Sequence, residues 1–150
     1  MKVISLYLLV TLLLFLGLGA LSGGYLLMVD PDGSALGMDS EWLKNSPFNT
    51  YLVPGIILFF FNGLFPILTI VGIIFKPRIP FLEKINIFKT QNWAWSYSLY
   101  SGIMAIAWII VQQAMTNYFW LQTVILVTGL LIIITTLLPG VTSAFKNGNQ

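Results

Sequence analysis

Four of the five acidic residues, Asp30, Asp32, Asp39 and Glu41, fall in one short stretch, and carboxylates gathered in this way suggest two chemistries. The first is calcium binding. Asp30, Asp32, Ser34 and Glu41 occupy positions 1, 3, 5 and 12 of a calcium-loop pattern. That pattern needs glycine at its sixth position for a sharp turn, and Ala35 stands there, while Gly37 takes the eighth. The second is hydrolysis by a carboxylate pair, as at a glycosidic bond. Nothing in the surrounding sequence identifies a substrate cleft for it. The stretch therefore reads as a solvated, turn-rich cap, with no metal and no other cofactor expected.

The chain contains neither histidine nor cysteine. This excludes imidazole acid–base chemistry, histidine-containing triads, imidazole or thiolate metal ligation, disulfides and S-acylation. A second polar set remains: Asn62, Gln112, Gln113 and Gln122, each embedded in apolar sequence. If these amides converge beneath the cap, with Trp42 above them, they line a chamber for a lipid headgroup, a quinone-like ring or another amphiphile. The competing reading is hydrogen bonding between helices, which contributes around 0.6 kcal/mol per pair in membranes. Trp108 reads as packing.

The elements that must position these groups follow from composition. The 150 residues allow one domain, 1–150. They are 57% hydrophobic and 8% charged, with a mean hydropathy of +0.89. Water-soluble domains carry about 25% charged residues, so lipid is the expected solvent. A net charge of +2 is too small to suggest nucleic-acid binding.

Four apolar runs, at about 3–29, 51–75, 93–113 and 118–138, are each long enough to cross a hydrocarbon core of roughly 30 Å. The first could be a signal peptide, since Lys2 is basic and Ala20-Leu21-Ser22 resembles a cleavage site. The run continues past that site to Val29, which favours a retained helix. Its small residues Gly19, Ala20, Gly23 and Gly24 are spaced for close approach of another helix.

Between the first two runs, Asp30-Pro31-Asp32-Gly33 has the pattern of a type I turn, and Asp39 or Ser40 is placed to cap a short helix. Pro54 suits the first turn of the second helix. In its middle, Pro66 cannot donate to the carbonyl of Asn62, and Gly55, Asn62, Pro66 and Thr69 share one inward face. Residues 76–92 are basic, with Phe81, Leu82, Ile85 and Phe88 at helical spacing. They suggest a short helix in the headgroup region, its lysines reaching toward lipid phosphates. Trp93, Trp95, Tyr97 and Tyr100 read as one interfacial aromatic belt, and Tyr118, Phe119 and Trp120 as the other. Pro139-Gly140 stops the last helix, and the tail 146–150 is expected to be disordered.

With four spans, both termini and the 76–92 loop share one side, and that side collects six of the seven basic residues. The positive-inside rule places both termini in the cytoplasm and residues 30–50 outside. No charged residue lies within a span. This argues against an intramembrane aspartyl dyad, proton-coupled transport or an ion pump.

The stretch DPDGSALGMDSEWLKNSPF, the following YLVPGIILFFFNGL and the segments WIIVQ and WLQ resemble a pattern in small, functionally uncharacterised four-helix integral membrane proteins of bacteria. That resemblance implies a bacterial plasma (inner) membrane location and four-span topology, and it implies no activity.

The expectation is an all-α, integral membrane four-helix bundle with an external turn-rich cap between helices 1 and 2. Its expected role is that of a non-enzymatic component binding a partner helix or a lipid-like amphiphile through its outer half. Membrane lipids, a homo-oligomer or another membrane protein are the expected partners. The alternatives are a small membrane enzyme or transporter acting on a lipid-like substrate at the outer face, and a structural subunit of a larger complex.

Overall fold

The computed structural model describes residues 2–147. Among them all regular structure is helical, apart from one isolated antiparallel bridge between Gln91 and Lys146. The first long helix is α1 (Lys2–Val29). The second, Leu52–Phe75, is built from α2 (Leu52–Ile57), a π-helical segment (Leu58–Leu64) and α3 (Phe65–Phe75). A short α4 (Pro80–Ile85) leads to α5 (Trp93–Met115) and α6 (Trp120–Leu137), and α7 (Pro139–Ala144) follows. Val3–Val29, Leu52–Phe75, Trp93–Met115 and Trp120–Leu137 are long and apolar enough to cross a membrane. α1 packs along the second long helix, α3 on α5, α5 on α6, and α6 back on α1.

Beside an apolar core that includes Leu9, Leu13, Trp93 and Ile132, the chain buries many polar side chains and turns large apolar ones outward. The interior holds Asn62, Thr69, Ser96, Ser98, Ser101, Gln122, Thr128, Thr135 and Thr136. The outward faces carry large apolar side chains such as Ile4, Phe15, Phe60, Phe61, Ile103, Ile110, Val127 and Ile134. Five of the buried hydroxyls are satisfied locally: Thr69, Ser98, Ser101, Thr128 and Thr136 each donate to the carbonyl one turn earlier at 2.7–2.9 Å.

The inward face expected on the second helix forms, since Gly55, Asn62, Pro66 and Thr69 are all buried. Its π-helical middle was not anticipated. Pro66 lacks an N–H and its ring crowds the carbonyl four residues back, and the backbone answers by widening its turns. Phe65 N–H accordingly donates to Phe60 O, five residues earlier.

That widening sets the fit against α1. On α1, Gly17 and Gly24 are seven residues apart, two helical turns. Their antiparallel counterparts, Gly63 and Gly55, are eight apart. In an unbroken α-helix eight residues would swing the face by about 80°, and the wide turns bring it back. A Cβ on Gly24 would lie 2.8 Å from Gly55 O, and one on Gly17 would lie 3.3 Å from Gly63 O.

At the end remote from the cap, four expectations change. Trp93, Trp95 and Tyr97 are buried rather than arrayed as a belt, because each polar tip finds a carbonyl inside. Trp93 Nε1 donates to Pro77 O, Trp95 Nε1 to Thr136 O and Tyr97 Oη to Leu82 O. The short helix α4 forms with Leu82 buried and Phe81 and Ile85 exposed. Two of the loop lysines reach carbonyls, however: Lys76 Nζ donates to Ala144 O and Lys89 Nζ to Glu83 O. Pro139 ends α6 and also starts α7, where its fixed φ and missing N–H suit a first turn. The tail to Asn147 is ordered, with Asn147 N–H on Thr90 O at 2.9 Å and its side-chain amide on Lys89 O at 3.1 Å. Residues 148–150, the rest of the tail expected to be disordered, lie outside the described residues.

Candidate functional site

The cap between α1 and α2 is built by its turn residues. Asp30 O accepts from Gly33 N–H at 3.1 Å, closing the expected turn, and Gly33 adopts a φ of 86° that suits glycine. The Asp30 carboxylate takes the Ser34 hydroxyl at 2.8 Å and Ala35 N–H at 2.5 Å. Asp32 Oδ1 takes Ser34 N–H at 3.0 Å, and this bond is the main reason the Asp32 carboxyl is held below its ordinary pKa. Asp39 caps the short 3-10 helix Ser40–Leu43 by accepting from Glu41 N–H. Glu41 pairs with Lys44 at 2.7 Å on the surface. The carboxylates are thus engaged by backbone and neighbouring side chains. Among the described residues no group of three or more acidic side chains is placed to hold a metal ion.

Tyr51 pins the cap to the helices. Its N–H donates to Pro31 O and its hydroxyl to Asp39 O, both at 2.7 Å, and its ring is buried with Leu27 and Leu43. Trp42 then reaches across to Phe119, with ring centroids 6.1 Å apart. The cap is therefore a lid fastened at α2 and resting on the segment before α6.

Beneath it lies a cavity of about 440 Å³. Its α1 wall is formed by Phe15, Gly19, Ala20, Ser22, Gly23, Leu26 and Leu27; Leu58 closes the second helix side. Trp108, Ile109 and Gln112 of α5 and Leu121, Gln122 and Ile125 of α6 face them, under Leu36, Met38 and Trp42 of the lid and Phe119. Phe15, Gly19, Ser22, Leu26 and Leu121 are also surface-exposed, so the cavity communicates with the outside along α1 and α6.

The structure brings together Trp42, Gln112 and Gln122, and it adds Trp108, which sequence reasoning had left to packing. It leaves out two of the amides. Gln113 is exposed, and Asn62 is buried within the π-helical segment, apart from the cavity wall. The small residues of α1 also divide. Gly24 is the close-packing position, where a Cβ would meet Phe59 N at 2.7 Å. Gly19 meets nothing within 4 Å and Gly23 only the end of Leu58, and both line the cavity with the buried Ala20. Phe15, Ser22, Met38 and Phe119 were missed. The spacing of Phe15, Gly19, Ser22 and Leu26 along one face of α1 was the available signal for part of that set.

Gln122 is fully buried. Its Nε2 donates to Thr116 Oγ1 at 3.3 Å, and its Oε1 has no partner. Asn62 Oδ1 and Gln91 Oε1 share that condition elsewhere in the fold. Comparison with family models, with curated proteins and with solved structures finds no match, so the reading of this site rests on its own geometry.

Proposed function

We propose that the chain crosses a bacterial plasma membrane as a four-helix bundle, with both termini cytoplasmic and the lid outside, and binds a single lipid-like amphiphile beneath that lid without chemical conversion. The observation that carries the reading is the cavity itself: about 440 Å³ of largely apolar space with two glutamine amides at its wall. Ligand pockets typically enclose about 300–1,000 Å³ and combine apolar walls with a few placed polar groups. The charge-free long helices and their apolar outward faces support the membrane setting. The excess of lysine and arginine on the side of the termini and the 76–92 loop supports the orientation. No histidine, cysteine or carboxylate lines the cavity, which favours binding over catalysis.

Gly19→Leu tests this. A Cβ at residue 19 meets no atom within 4 Å, and residue 19 lies on the cavity wall. Native mass spectrometry after gentle extraction should show a retained amphiphile on the wild-type chain and none on folded Gly19→Leu. A wild-type chain carrying no such ligand, or equal retention by both, refutes the proposal.

A further inference from the structure

We infer that the cavity selects an amphiphile with a neutral, hydrogen-bond-donating head, of the long-chain alcohol or monoacylglycerol kind, and that Gln122 Oε1 receives the donor. This rests on the proposed reading of the cavity as a ligand site and gives that site its chemical preference.

The orientation of the Gln122 amide is set by its neighbour. The Thr116 hydroxyl donates to Gln112 O at 2.9 Å, so its single proton is committed and its oxygen is free to accept. Gln122 must therefore offer Thr116 its N–H, at 3.3 Å, which leaves Oε1 as an acceptor. Gln122 is a lining residue of the cavity, and that atom is buried without a partner. A buried acceptor left unpaired is destabilising, and a donor supplied by a ligand relieves the penalty. The second amide, Gln112, is half-buried with no described side-chain hydrogen bond, and it can donate to an oxygen of the same head.

Charge decides the rest. No acidic or basic side chain lines the cavity. A phosphate or carboxylate drawn against Gln122 would lose its hydration with no counter-charge, whereas a hydroxyl would exchange water for an amide oxygen. The acyl chain has Phe15, Leu26, Ile109 and Ile125 to lie against.

Trp42 and Trp108 line the cavity, so ligands brominated along the chain report their own binding by quenching. The full-length protein in detergent micelles is titrated with a chain-brominated alcohol, its methyl ether and the matching fatty carboxylate at pH 8. Gly19→Leu marks the quenching that comes from the cavity. The alcohol should bind about tenfold more tightly than the ether, the worth of one hydrogen bond to a buried acceptor. That preference should vanish in Gln122→Met, a variant of similar size that lacks the acceptor. The comparison of ligands on the wild-type chain stands even where the variant does not fold. Equal affinity for alcohol, ether and carboxylate, with saturable quenching that Gly19→Leu abolishes, overturns the preference and leaves the ligand site intact. Absence of saturable quenching by any of the three overturns both.

Discussion

Gly24→Ala against Gly19→Ala separates close packing from cavity lining on one helix. At Gly24 the added carbon would stand 2.7 Å from Phe59 N, 2.8 Å from Gly55 O and 2.8 Å from Phe59 Cβ. Carbon contacts settle at roughly 3.5–4.0 Å, and these neighbours belong to the helix framework. They cannot turn away as a flexible side chain would. α1 and the second long helix must part by most of an ångström, an overpacking that costs about 1–3 kcal/mol. Alanine recovers about 0.8–1.0 kcal/mol of helix propensity over glycine, so the expected net loss runs up to about 2 kcal/mol. At Gly19 no atom lies within 4 Å, and only the propensity gain of about 1 kcal/mol remains. Reversible unfolding in mixed detergent micelles, followed by tryptophan fluorescence, should show shifts of opposite sign. Equal shifts, or loss at Gly19 alone, would refute the contact geometry between these helices.

Asn62→Leu removes a buried carbonyl oxygen that has no partner. The variant should be as stable as the wild type or up to about 1 kcal/mol more stable, since no net bond is lost from that atom; a marked loss in the same unfolding assay would show that Oδ1 is bonded. Tyr51→Phe deletes the 2.7 Å bond to Asp39 O, at a cost of about 1 kcal/mol. Amide exchange should rise across the lid and stay unchanged in α5 and α6. For Asp32 the folded pKa lies below the ordinary value, so the bond to Ser34 N–H contributes fully above about pH 3.9 and is lost as pH falls through the lower folded value. Trp42 emission should be flat from about pH 8 to 5 and change only below about pH 4; a transition centred near pH 6 would contradict this.

The order and bounds of the four long helices were legible because uncharged runs of that length have few other uses. The turn at Asp30–Gly33 and the Asp39 cap were equally local, set by residue types within four positions. What escaped was set by partners distant in the chain. Trp93 and Trp95 resemble interfacial tryptophans until Pro77 O and Thr136 O are known to wait for their indole N–H groups. The wide turns at Leu58–Leu64 were hinted at by the Asn62 and Pro66 spacing, but their consequence appears only against Gly17 and Gly24. Gln112 and Gln113 are neighbours in sequence, and a rotation of one residue puts the first on the cavity and the second outside.

The wide turns carry a further consequence, one of chain length. A helix of constant pitch tolerates no change in residue number between two fixed contacts, since each residue added or removed turns everything beyond it by about 100°. The segment Leu58–Leu64 already holds one residue more than the α-helical repeat requires between Gly55 and Gly63. Deleting a single residue among 59–61 would restore ordinary pitch and leave both ends of the helix facing as they do now. The same deletion among 67–71 would turn Ile73 and the α4 connection away from their neighbours. The second long helix thus carries a reserve of one residue, and its middle is where a sequence of different length could still make the same fold.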